Sequence, residues 1–209
     1  MTPLAAPALI ADNDLSSRLT QGPTQVRATL LALLLSPALV AAADAPCVSG
    51  PKAGQRYGPY SFVLCTGENR GKSHCYVCET ADRPAVIVFA RSLSDPLGKL
   101  AAGLDKAVVE HKKADLRAWV TILHEDQSKL DDDVLKWAKK HAVKTTPVGV
   151  FEDTDGPPSY KLHKDADVTV LLAVEQKVVV NFAFRAGELK DEQVKQVLAA
   201  ITKITAEKK

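Results

Sequence analysis

Apolar residues occur along the chain either as continuous β-branched runs or at every third to fourth position. The run PAVIVFA (Pro84–Ala90) predicts a central strand that is buried on both faces, and LRAWVTIL (Leu116–Leu123) predicts a second one. An earlier strand is predicted at Tyr60–Cys65. The glycine-rich TGENRGK after it predicts a turn that leads the chain back toward Cys75. A β-hairpin is therefore expected before the first central strand.

Three stretches carry apolar residues at helical spacing. The first runs from Leu97 to Val108, with Ser94 as its candidate N-cap. The second is a helix that runs through His141, preceded by an S-x-x-D segment at Ser128 that is typical of a capping box. The third is a terminal helix with its apolar positions between Val194 and Ile204.

The remaining segments predict strands that complete a sheet. TPVGVFED is a short strand, and DVTVLLAVEQKVVVNFAF reads as two strands joined at Glu175–Gln176. The order is β-hairpin, β, α, β, α, short β, β-hairpin, α. Such an order predicts an α/β fold, a three-layer α/β/α sandwich with a mixed central sheet and an N-terminal β-hairpin.

Composition narrows the class of protein only slightly. The 209 residues are 46% hydrophobic and 25% charged, with a formal net charge of +2. That is ordinary for a folded globular domain. Lysines and acidic residues are interspersed, without a basic block carrying interleaved aromatic residues. No nucleic-acid partner is therefore expected.

The N-terminus has the pattern of a secretory signal. Arg27 precedes the apolar run Ala28–Val40, and small residues follow it. The run is short and interrupted by Pro37, which argues against a transmembrane helix. We expect cleavage between Ala42 and Ala45, with an uncleaved membrane anchor as the alternative.

This signal divides the chain into two parts. Residues 1–45 are predicted to be an N-terminal extension and signal peptide, and residues 46–209 a single domain. The 25 residues before Val26 make the signal long, so Val26 is a candidate for the true start. The mature protein is expected to be exported, periplasmic or secreted, with no stable membrane insertion after cleavage.

Four cysteines remain in the predicted mature part: Cys47, Cys65, Cys75 and Cys78. An even number in an oxidising compartment predicts one or two disulfides, and three pairings are possible. Cys75 and Cys78 form a C-x-x-C pair. Their expected position is a loop before the first central strand, without the helix dipole that activates thiols in many redox enzymes.

Three roles remain open for the C-x-x-C pair. In a redox role Cys75 is the nucleophile and Cys78 the resolving thiol, with Lys72 and His74 beside them. In a structural role the pair is a disulfide that rigidifies the loop.

The structural role leaves Cys47 and Cys65 to form a second bridge. In a metal role His74, Cys65 and Cys47 would join the two C-x-x-C thiolates as ligands. A zinc site normally shows a second pair of closely spaced ligands, which this sequence lacks. Haem attachment is excluded because residue 79, where the signature needs histidine, is Glu79. We therefore assign no metal or cofactor.

The order of elements resembles the thioredoxin-like superfamily, most of all its exported, peroxiredoxin-type branch. The segment FARSLSDPL (Phe89–Leu97) matches the family's active-site segment, with Pro96 in common. Ser94 stands where the nucleophilic cysteine is expected, and Leu97 where the resolving one is expected. Val168 replaces the family's cis-proline. The resemblance thus implies a thioredoxin-like fold with a degenerate active site.

These observations lead to one leading function and two alternatives. The leading function is an exported thioredoxin-like protein that acts as a thiol–disulfide oxidoreductase or redox sensor through Cys75 and Cys78, with a protein thiol or disulfide as partner. The first alternative is a catalytically inactive binding or scaffold module with structural disulfides. The second is a metal-binding protein.

Overall fold

The computed structural model describes residues 45–206, which form one mixed sheet with its covering elements. The predicted signal falls outside these residues, so the boundary between residues 1–45 and 46–209 stays a prediction. The seven strands are β1 (Phe62–Leu64), β2 (Ser73–His74), β3 (Ala85–Ala90), β4 (Arg117–Leu123), β5 (Val148–Phe151), β6 (Val168–Val174) and β7 (Lys177–Phe184).

The strands lie in the order β2-β1-β5-β4-β3-β6-β7. Strands β3, β4 and β5 are parallel to one another, and the other neighbours pair antiparallel. The mixed sheet and the N-terminal hairpin of β1 and β2 are therefore confirmed. The predicted β6–β7 turn is also confirmed, with φ of 55° at both Glu175 and Gln176, as two-residue hairpin turns require.

The helices are α1 (Tyr76–Thr80), α2 (Asp95–Glu110), α3 (Gln127–Lys140), α4 (Asp191–Ala200) and α5 (Thr202–Thr205), with 3₁₀ turns at Lys112–Ala114 and Pro158–Tyr160. Among the described residues, none of the helices has both the length and the apolar character needed to cross a membrane.

The start of α3 differs from the prediction. Asp126, not Ser128, is the N-cap, and its carboxylate accepts hydrogen bonds from the Lys129 backbone N–H (3.2 Å) and from the Ser128 hydroxyl (2.6 Å). An ionised carboxylate is a stronger acceptor than a hydroxyl, so Asp126 takes the capping position and Ser128 becomes one of its donors. The capping box predicted at Ser128 is therefore wrong.

The longer helices all pack on one side of the sheet. Alternate side chains of β3, β4 and β6 point to this side, among them Val86, Val120 and Val170, and they pack against α2, α3, α4 and α5. The β3-α2-β4 and β4-α3-β5 connections step across the sheet in the same direction. Because crossovers between parallel strands are nearly always right-handed, both helices are expected on the same side, as found. We call this side the helical face.

The opposite side, which we call the aromatic face, is covered by a thinner layer. That layer consists of α1, the Pro158–Tyr160 turn and the chain before β1. Eight rings meet on this face: Tyr57, Tyr60, Phe62, Tyr76, Phe89, Trp119, Phe151 and Tyr160. At the centre of this face the Trp119 indole N–H donates to the Tyr60 hydroxyl (2.8 Å), which also hydrogen-bonds the Thr121 hydroxyl (2.8 Å).

Candidate thiol–disulfide site

The predicted C-x-x-C pair is a disulfide in the structure. Cys75 and Cys78 are joined, with their Cα atoms 5.4 Å apart. The disulfide comes directly after β2, the outermost strand on one side of the sheet. The oxidised pair is therefore held at a sheet edge.

The local backbone around the pair differs from the predicted loop. Cys75 is the N-cap of α1, and the backbone N–H of Cys78 donates to Cys75 Sγ at 3.2 Å. The prediction of a loop without a helix is therefore wrong. It failed because YVCET makes little more than one helical turn, which is too short for an apolar periodicity to appear.

The two cysteine residues have unequal exposure. Cys78 is exposed, whereas Cys75 is half-buried and packs against the aromatic face. Tyr76, between them, lies over this face with its ring centroid 5.7 Å from that of Trp119, in a stacked arrangement, and 5.9 Å from that of Phe62. Aromatic pairs at such distances add to the burial energy. Tyr76 thus fixes α1 to the sheet.

A hydrogen bond joins the two residues that flank the disulfide in sequence. His74 Nε2 lies 2.8 Å from Glu79 Oε2, and these two residues directly precede Cys75 and directly follow Cys78. Lys72, predicted to act beside the pair, instead donates from its ammonium to Asn69 Oδ1 at 3.3 Å. Both groups of the His74–Glu79 pair are solvent-accessible, so their interaction is partly screened by water.

The other two cysteines, Cys47 and Cys65, are free thiols. Cys65 follows β1, donates its N–H to the Val148 carbonyl and is buried, and this burial raises the pKa of its thiol to about 12. Cys47 lines a surface pocket with Ala183 of β7.

Strands β1 and β7 are five strand spacings apart in the sheet, or roughly 24 Å. A disulfide requires Cα atoms within about 7 Å. The predicted bridge between Cys47 and Cys65 is therefore wrong.

Residues 45–206 contain no set of ligands for the metal-binding alternative. No group of three or more histidine, cysteine, aspartate or glutamate side chains is arranged there to hold an ion. His74 lies next to the pair, but its Nε2 contacts Glu79 Oε2. Cys47 and Cys65 are free thiols.

The position that resembles a thioredoxin active site lies at the start of α2. Ser94 caps this helix as predicted, and its hydroxyl accepts the Leu97 backbone N–H at 3.3 Å. Leu97 is fully buried in the core of the helical face. Strand β6 begins at Val168, which pairs with Ala90 at the end of β3.

The start of α2 and the disulfide are separated in the sheet. Ser94 follows β3 and Cys75 follows β2, and these strands are four spacings apart, or about 19 Å. The C-x-x-C pair is therefore displaced sideways to the sheet edge.

Comparisons with known proteins find likeness in structure only. No family model matches the chain, and no curated protein matches it in sequence. Among solved structures, a candidate protein disulfide isomerase from Bacteroides thetaiotaomicron is 20% identical with a TM-score of 0.56, covering 77% of this chain and 94% of its own. A candidate thiol:disulfide interchange protein DsbE from Chlorobium tepidum is 16% identical with a TM-score of 0.51, covering 72% and 98%.

A third similar structure is the peroxidoxin BcpB from Mycobacterium tuberculosis. It is 17% identical with a TM-score of 0.50, and the match covers 73% of this chain and 97% of that protein. Identities this low carry information about the fold alone. The seven-stranded mixed sheet and its likeness to these structures show that the chain has the thioredoxin-like α/β fold.

Proposed function

We propose that this chain is an exported thioredoxin-like protein that carries out thiol–disulfide exchange through Cys75 and Cys78. Its partner class is a protein thiol or disulfide. The observation that carries the proposal is a disulfide at a helix N-cap with one exposed sulfur-bearing side chain and one hydrogen-bonded sulfur. Exchange requires an accessible sulfur and a leaving thiolate that its surroundings stabilise.

We also propose that the start of α2 carries out no thiol–disulfide exchange. Ser94 and Leu97 provide no sulfur there, and Ser94 uses its hydroxyl to cap the helix. An alcohol at a helix N-terminus remains protonated and cannot exchange with a disulfide, whereas a thiol in that position is activated. We therefore place all exchange chemistry at the sheet edge.

Export supports this role because disulfide chemistry proceeds in oxidising compartments. The predicted signal before Ala45 can be tested by expressing the full chain in a bacterial host and fractionating the cells. We expect a processed chain that begins between residues 43 and 46 in the extracytoplasmic fraction. An unprocessed chain in the cytoplasm would remove the export part of the proposal.

The test of the activity is an exchange assay with Cys75→Ser. The wild-type chain is expected to catalyse the oxidation of a dithiol peptide in a glutathione buffer, and the variant to lose this catalysis. Serine keeps the capping hydrogen bond, so a loss of activity reports the sulfur and not the helix. The matched control is Cys47→Ser, which removes a thiol far from the pair and is expected to leave the rate unchanged.

Equal rates for the wild type and Cys75→Ser would contradict the proposal. In that case the pair is a structural disulfide, and the protein is a non-catalytic binding or scaffold module with the same fold.

A further inference from the structure

The two cysteines of the pair have unequal surroundings, and their roles follow from this difference. We propose, on the basis of the proposed exchange function, that Cys78 is the sulfur that forms the mixed disulfide with the partner, and that Cys75 is the leaving and resolving thiol. This order is the reverse of the one that the sequence predicts, in which Cys75 is the nucleophile.

Access favours Cys78 as the attacked sulfur. Thiolate attack on a disulfide depends on which sulfur can be reached. Cys78 is exposed, while Cys75 is half-buried against the aromatic face, next to the Tyr76 ring that stacks with Trp119. A protein partner can therefore reach Cys78 more easily than Cys75.

Hydrogen bonding favours Cys75 as the leaving sulfur. The Cys78 backbone N–H points at Cys75 Sγ from 3.2 Å. A donor aimed at a developing anion stabilises that anion, and a better stabilised thiolate leaves faster. Because the donor belongs to the cap of α1, it is already in place before the S–S bond breaks.

The charge around the incoming group fits the same order. Glu79 follows Cys78 directly, and an unpaired carboxylate there would repel an approaching thiolate. Its Oε2 is instead 2.8 Å from His74 Nε2, and a hydrogen bond donated by the imidazole N–H reduces the charge that the carboxylate presents to the incoming thiolate. Both of these side chains remain at the surface, as does Cys78.

Exchange with a partner dithiol takes place in two steps. A partner thiolate bonds to Cys78 Sγ, the Cys75–Cys78 bond breaks, and its electron pair stays on Cys75 Sγ. A second thiolate of the partner then attacks the partner's sulfur in the mixed disulfide, and Cys78 leaves as a thiolate. The partner dithiol is oxidised by two electrons and the protein pair is reduced by two. The two protons released from the partner's thiols pass through water to the protein's thiolates.

The test uses full-length variants that each keep a single thiol. Both carry Cys47→Ser and Cys65→Ala, and one adds Cys75→Ser while the other adds Cys78→Ser. Each is incubated with glutathione disulfide at mildly alkaline pH, and formation of the mixed disulfide is followed by mass. Because access limits exchange, we expect the variant that keeps Cys78 to react on the order of tenfold faster than the one that keeps Cys75.

A second measurement avoids the substitutions. The oxidised wild-type chain is mixed with reduced glutathione and quenched with acid. Cleavage after Tyr76 then separates the two cysteines. Glutathione is expected on Cys78.

Two outcomes distinguish a failure of the assigned cysteine roles from a failure of the proposed exchange function. Glutathione predominantly on Cys75 would overturn the assignment of roles and leave exchange through the pair intact. No mixed disulfide on either cysteine, together with no exchange by the wild-type chain, would overturn both.

Discussion

Two helix N-termini in this protein have the same capping geometry and different chemistry. At α2 the Ser94 hydroxyl accepts the N–H of the residue three positions later at 3.3 Å, and at α1 the Cys75 sulfur does the same at 3.2 Å. The first cap carries oxygen on a helix of 16 residues, and the second carries sulfur on a helix of five. Capping geometry is thus common to both, and the capping atom decides which end can form a disulfide.

Each cap is also supported by one of the two tryptophans, from opposite faces of the sheet. On the helical face the Trp137 indole N–H donates to the Ser94 carbonyl at 3.1 Å. On the aromatic face Trp119 stacks with Tyr76, the residue after Cys75. Substitution of one tryptophan is therefore expected to disturb one capped helix end and to leave the other in place.

The largest effect is expected from removing these tryptophans. Trp119→Ala and Trp137→Ala should each lower the free energy of unfolding by about 3–5 kcal/mol, because both rings are buried. Only Trp119→Ala should also shift the redox midpoint of the Cys75–Cys78 pair. Denaturant unfolding and titration in glutathione buffers measure the two quantities.

A milder substitution tests the same prediction if Trp119→Ala does not fold. Trp119→Phe keeps a ring beneath Tyr76, and its midpoint should lie between those of the wild type and Trp119→Ala. An equal midpoint shift in Trp137→Ala would show that the two ends are not independent.

A smaller effect is expected from Gly98→Ala in the first turn of α2. A Cβ at this position would stand 2.2 Å from the His141 ring, which is packed beside Trp137. Such overpacking should cost about 1–3 kcal/mol of unfolding free energy. The matched control is Gly103→Ala in the same helix, where the nearest atom is the end of the Leu198 side chain at 2.5 Å.

Gly103→Ala should cost less, because a side-chain end moves more easily than a packed ring and alanine favours the helix. Thermal unfolding of both variants measures the difference. A Gly98→Ala variant as stable as the wild type would indicate that His141 can move away from α2.

Removal of the oxygen cap should have an effect of about 1 kcal/mol. Ser94→Ala loses the hydrogen bond to the Leu97 N–H and should destabilise the chain by that amount. Exchange activity should be unchanged, because we place no chemistry at this end. A substantial loss of exchange in Ser94→Ala, with the fold retained, would mean that the start of α2 takes part after all.

The smallest effect on stability is expected at the hydrogen bond between His74 and Glu79, beside the disulfide. His74→Gln removes a pair between accessible groups and should change the unfolding free energy by less than about 1 kcal/mol. The rate of mixed-disulfide formation should fall, since the Glu79 carboxylate is then unpaired beside Cys78. His74→Gln combined with Glu79→Gln should restore the rate, and no recovery in the double variant would argue against repulsion as the cause.

Much of the fold could be predicted from the sequence because its strongest signals are local. The continuous β-branched runs of β3 and β4 can be buried only in a sheet covered on both faces, which is where they lie. Ser94 followed by an apolar stripe was sufficient to place α2 and its cap. The β6–β7 turn at Glu175–Gln176 followed from the two apolar runs on either side of it.

The candidate site depended on features that local patterns do not contain. Helix α1 is too short for a periodicity, so the capping role of Cys75 could not be inferred from spacing. The separation of Cys47 from Cys65 is set by the order of strands, which becomes known only when β1 and β7 are placed at their positions in the sheet. The one available signal for the cap was the motif itself, since a cysteine before Y-V-C can accept the N–H three residues later.

The redox midpoint of the Cys75–Cys78 pair in the full-length chain tests the central claim most directly. Exchange at the sulfur-capped end requires a disulfide that partner thiols can reduce, and we therefore expect a midpoint above about −300 mV, in the range of catalytic pairs. The measurement is made in glutathione or dithiothreitol buffers, with the state of the pair read by alkylation and mass. A midpoint below about −300 mV would identify a structural bridge and contradict the account.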